Sequence, residues 1–89
     1  MQRLNIREVI TQLGGAHALS KQLGVTSAAV YDWGRDNSLP LRRALEVSAM
    51  LGIDRDLLHD PWRGYGQEIM SAEDTQRFLG SNTYALDVD

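Results

Sequence analysis

Apolar side chains recur along the first sixty residues with the period of helices that bury one face. Ile6, Val9, Ile10 and Leu13 fall at i, i+3, i+4 and i+7. Asn5 and Glu8 stand ahead of them at the spacing of a capping box, and Gly14-Gly15 supplies a stop. Ala16, Leu19, Ser20 and Leu23 form the next stripe, closed by Gly24. Thr26 has a hydroxyl able to accept an N–H of the following turn, so it predicts a third helix through Trp33. After the polar break "GRDNS", Pro40 suits the first turn of a fourth helix. Leu41, Ala44, Leu45, Ser48 and Leu51 make its apolar stripe, closed by Gly52. Asp54 can cap a fifth, one- or two-turn helix that carries Leu57 and Leu58 and ends before Pro61. The pattern predicts an all-α fold, five short helices in one compact domain over residues 1–62.

From Gly64 the texture changes, and residues 63–89 read as a short C-terminal tail. Ser71 predicts the cap of a short helix to Leu79, with Gly80 past its end. Tyr84, Leu86 and Val88 alternate with Ala85 and Asp87 as a strand would, and such a strand needs a partner chain or the domain itself to pair with. A frayed tail is the competing expectation.

Composition narrows the function classes. An apolar share of 43% with 24% charged residues belongs to a globular protein rather than a disordered one. The absence of cysteine excludes a disulfide framework, thiolate catalysis and cysteine-based zinc sites together. No apolar run approaches the roughly 20 residues of a membrane span, and the opening segment carries Arg7 and Glu8 where a signal peptide would be apolar. A soluble cytoplasmic protein is expected. Asp54, Asp56, His59 and Asp60 cluster in sequence but lack the ligand spacing and glycine of a calcium loop. No phosphate-binding glycine loop or nucleophile–base pair stands out, so neither an enzyme nor a cofactor is expected.

The net charge of −3 would by itself argue against a nucleic-acid partner. Its distribution changes that picture. Residues 1–52 hold Arg3, Arg7, Lys21, Arg35, Arg42 and Arg43 against Glu8, Asp32, Asp36 and Glu46, a balance of +2. The remaining deficit of −5 lies in residues 53–89, so a mildly basic working half is joined to an acidic remainder.

Residues 16–35 meet the demands of a helix-turn-helix, in which two helices cross steeply through a tight turn. Gly24 supplies the residue at ease at positive φ, and Ser20 is small where the helices cross. Leu19, Leu23, Val25, Val30 and Trp33 are apolar where both helices must grip the domain. The stretches "GGAHALSKQLGVTSAAVYDWGR" and "LPLRRALEVSAMLGIDRDLLHDPW" resemble the Cro/CI-type helix-turn-helix of phage regulators, above all small Cro proteins and YdaS-like antitoxins. The resemblance covers Ile6 to Trp62. It implies a lambda-repressor-like fold that binds a double-stranded DNA operator as a homodimer, with residues 26–34 as recognition helix.

In that geometry the recognition helix lies in the major groove and its N-terminal half meets base edges. With Val30 and Trp33 inward, Thr26, Ser27, Ala28, Tyr31, Asp32 and Arg35 are left at the DNA face. Ser27 can bond a base or phosphate, Ala28 can touch a thymine methyl, and Tyr31 can stack or bond a phosphate. Asp32 can accept from a cytosine amine or pair with Arg35 one turn on. His17, Lys21, Arg35, Asn37, Ser38, Arg42 and Arg43 are the candidates for phosphate contact. A protein-binding role remains open beside this one: an antitoxin or phage regulator acting through its tail, where Ile69, Met70, Phe78, Leu79, Tyr84, Leu86 and Val88 are apolar enough to hold a partner protein.

Overall fold

The computed structural model describes residues 2–60 and 68–81. The elements in order are β1 (Gln2–Arg3), α1 (Ile6–Gln12), α2 (Ala16–Leu23), α3 (Ser27–Asp36) and α4 (Leu41–Leu51). A 3₁₀ turn (Arg55–Leu57), β2 (Glu68–Ile69) and α5 (Ala72–Ser81) follow. The fold is all-α apart from a two-residue parallel pairing of β1 with β2, in which Gln2 faces Glu68 and Arg3 faces Ile69.

The predicted starts and stops operate with some revisions. Asn5 caps α1 by accepting from the Glu8 N–H at 3.1 Å, but Glu8 does not reciprocate. The Asn5 N–H goes instead to Thr75 Oγ1 at 2.9 Å, which ties α1 to α5. The third helix does not stop at Trp33. Gly34 and Arg35 continue it to Asp36, and Asn37 ends it in the left-handed conformation at φ 53°. Glycine inside a helix costs about 1 kcal/mol, and here it makes room for a neighbour: a Cβ at Gly34 would lie 3.0 Å from Arg7 Cγ. A β-carbon there would press on the Arg7 side chain where α1 crosses α3.

The fifth short helix expected after Asp54 is a single 3₁₀ turn, with Asp54 accepting from the Asp56 N–H at 2.9 Å. The fifth α-helix comes from the tail segment. Ser71 caps it through the Asp74 N–H at 3.0 Å, as its sequence predicted, and it runs past Gly80 to Ser81. It packs on α1, burying Thr75 and Leu79. The strand expected at 84–88 lies outside the described residues.

One core joins these elements. Leu4, Ile6, Val9, Leu19, Val30, Ala44, Val47 and Leu58 are essentially inaccessible, with Trp33 and Leu39 beside them. The apolar stripe of α4 is rotated from the expected one. Ala44, Val47, Ser48 and Leu51 supply the inward face, while Leu41 and Leu45 are 45% and 46% exposed. Val47 falls at i+3 from Ala44, and this narrower set faces the 3₁₀ turn.

The N-terminal strand is held from both sides. Leu4 N–H donates to Leu57 O at 3.0 Å, and Arg3 O accepts from Met70 N–H at 2.8 Å. Arg3 is buried and donates to the Asn37 carbonyl and to Asp60 at 3.5 Å. Desolvation lowers the pKa of its guanidinium, and the Asp60 charge opposes that shift. Asn37 completes the knot, accepting from Ile6 N–H at 2.9 Å and donating to Leu4 O at 3.1 Å.

Candidate nucleic-acid interface

The turn between α2 and α3 is built from three residues. Gly24 sits at φ 73° and ψ 33°, a conformation that would strain a β-carbon. Its N–H and that of Val25 both return to Ser20 O, closing the end of α2. Thr26 is extended and accepts from Ala29 N–H at 3.1 Å, opening α3. Where the helices cross, Ser20 is buried and its hydroxyl donates to His17 O at 2.7 Å. Ser27 Oγ lies 3.3 Å away, so the polar pair at the crossing is satisfied without water.

This turn divides α3 cleanly. Val30, Trp33 and Gly34 are buried, whereas Ala28, Tyr31, Asp32 and Arg35 are exposed. Tyr31 is 67% exposed, large for an aromatic that folding alone would cover. Asp32 and Arg35 do pair, at 2.9 Å, and Arg35 Nε also lies 3.6 Å from Asp36. The outward face therefore carries one cation between two carboxylates.

The flanking candidates separate into two groups. His17 and Lys21 on α2, Thr26 in the turn and Arg42 on α4 are exposed. Asn37, Ser38 and Arg43 are committed to the domain. Asn37 uses both ends of its amide on the N-terminal segment, and Ser38 Oγ accepts from Asp60 N–H at 3.0 Å. Arg43 donates to Glu46 at 2.9 Å and to Leu23 O at 3.4 Å, bracing α4 against the end of α2. Their polar groups serve the fold before any ligand arrives.

The family model of the DNA-binding transcriptional regulator Cro matches residues 6–51, from the start of α1 to the end of α4. The chain belongs to the Cro family. No curated protein and no solved structure gives a match. A Cro-family chain is a DNA-binding transcriptional regulator with a helix-turn-helix, and the family is not an enzyme class. Among the described residues no helix is long and apolar enough to cross a membrane.

In this Cro-family chain one further cation, left unassigned by the sequence pattern, borders the outward face of α3. An open cleft of about 550 Å³ lies between α1, the start of α2 and α3, lined by Arg7, Gly15, Ala16, Tyr31, Gly34 and Arg35 among others. Arg7 is exposed and forms no ion pair among the described residues. The signal for it was Gly34: a glycine inside an otherwise regular helix marks a close approach, and what approaches is Arg7. Gly15 opens α2 without a side-chain cap, so the first N–H groups of α2 have no side-chain acceptor.

Proposed function

We propose that this Cro-family regulator inserts α3 into the major groove of a palindromic operator, binds as a homodimer, and represses the promoter that carries the site. The observation that carries this reading is the two-sidedness of α3. Its inward face is locked by Val30, Trp33 and Gly34, and its outward face presents Ala28, Tyr31, Asp32 and Arg35 with no role in the core. Thr26 and Ser27 stand at the helix start, where base edges are met.

Phosphate contacts set the register in this proposal. Arg7 beside Tyr31 and Arg35, with the exposed His17, Lys21 and Arg42, supplies the basic groups for this, and the uncapped start of α2 favours an anion. Asn37 and Ser38 would reach phosphate only through groups already bonded within the domain, and Arg43 is held by Nη1 to Leu23 O and Glu46. So small a cationic set gives a modest grip per half-site, and two half-sites joined in one dimer raise the effective concentration. We place the protein in the cytoplasm with its DNA, as a phage-type regulator. The inward face of α5 is taken by its own domain through Thr75 and Leu79. Any partner protein held by residues 63–89 meets the outward face of α5 or the residues beyond it.

The test is a mobility-shift titration on the protein's own promoter at two salt concentrations. Tyr31→Ala with Arg35→Ala should lower affinity at least about tenfold, the cost of one good base contact. Wild-type affinity should fall steeply with salt in proportion to the phosphates neutralised. Full affinity in the double variant would remove α3 from the groove.

A further inference from the structure

We propose that Asp32 is a positioning residue that aims Arg35 at a guanine, so that the two side chains read one G·C pair as a unit. This rests on α3 being the reading helix. The Arg35 guanidinium lies 2.9 Å from Asp32 through Nη2 and 3.6 Å from Asp36 through Nε. Arg35 and Asp32 are 66% and 54% exposed, so the bridge lies in water. An exposed i,i+3 pair contributes little to stability. Its consequence is orientation: it biases which way the guanidinium faces and sets carboxylates beside it.

Both properties select a base edge over a phosphate. Arg35 with Asp32 and Asp36 leaves this part of α3 with one cation against two anions. A phosphate approaching Arg35 would meet two carboxylates and lose most of the attraction. A guanine edge carries no net charge, so it suffers no such repulsion. Arg35 has five N–H donors, and the two carboxylates occupy only one edge of the fork. The remaining donors suit O6 and N7 of guanine, which offer two acceptors side by side. Adenine and cytosine each place an amine donor on that edge, which a guanidinium cannot accept. Because Asp32 already restrains the long side chain, less rotamer freedom is lost when the base is met.

The experiment selects duplexes from a random library with the full-length chain, then titrates wild type, Asp32→Asn and Arg35→Lys on the selected sequence and its single-pair variants. Wild type should prefer one G·C pair per half-site by roughly 5- to 150-fold. Both substitutions should flatten the preference at that same pair and leave the others standing. Their thermal melting curves should superimpose on wild type, which separates positioning from folding. Two outcomes would overturn the inference. In one, Asp32→Asn raises affinity for every duplex alike, as it would if Arg35 bound phosphate and Asp32 only repelled it. In the other, Asp32→Asn alters a different base pair from Arg35→Lys, as it would if Asp32 accepted directly from a cytosine amine. A wild-type chain that binds duplex but selects no base overturns the reading-helix assignment as well, and so is told apart from a failure of the pair alone.

Discussion

Arg3 and Arg35 each sit beside an aspartate, and they do opposite work. Arg3 is 2% exposed, 3.5 Å from Asp60, and bonded to the carbonyl that ends α3. Arg35 is 66% exposed and 2.9 Å from Asp32. The shorter bridge matters less to the fold. Water already solvates Arg35 and Asp32, so their pairing replaces one good environment with another. Arg3 has left water, and its remaining interactions are what make that burial tolerable. The molecule concentrates buried polar bonding at the collar of β1, Asn37, Asp60 and Thr75. It leaves the α3 face lightly bonded, with the fold resting on none of its contacts.

Substitutions at the collar should break that contrast first. Arg3→Met deletes the buried cation and its bonds to Asn37 O and Asp60. A loss of about 3 kcal/mol is expected, a fall in Tm of roughly 12–24 °C by thermal circular dichroism. Thr75→Val keeps the shape but leaves the Asn5 N–H without its acceptor. It should cost about 1–3 kcal/mol in a denaturant titration. Gly34→Ala sharpens the comparison at the boundary between collar and reading face. The helix gains up to about 1 kcal/mol of propensity, and the new Cβ presses on Arg7 Cγ at 3.0 Å. Stability should stay within about 0.5 kcal/mol of wild type while the salt dependence of DNA binding weakens as Arg7 is displaced.

The same contrast explains what could be read from the chain before its structure. The α2–α3 unit was legible because every requirement is local: Gly24 at positive φ, Thr26 as cap, Ser20 at the crossing, Leu19, Val30 and Trp33 inward. The collar was not, since its bonds join residues far apart in sequence, as Asn5 to Thr75 and Asn37 to Ile6. A two-residue strand has no periodicity to detect. For that reason Asn37 and Ser38, polar and beside a recognition helix, read as phosphate contacts although their side chains hold the fold. The α4 stripe was read correctly at Ala44, Ser48 and Leu51 and wrongly at Leu41, Leu45 and Val47: the two leucines are nearly half exposed and Val47 is buried, because tertiary packing decides which flank of the stripe turns inward. On the outward face of α3, helical spacing anticipated the exposure of Ala28, Tyr31, Asp32 and Arg35, while Ser27, expected outward, is half-buried against Ser20. The Asp32–Arg35 pairing that the spacing allowed does form.

The central claim is that α3 carries sequence recognition on a face the fold does not depend on. It is tested most directly by measuring stability and operator affinity together for Tyr31→Ala/Arg35→Ala. The account predicts an unfolding free energy within about 0.5 kcal/mol of wild type and an operator affinity at least about tenfold weaker. Unchanged affinity, or affinity lost only in step with stability, would contradict it.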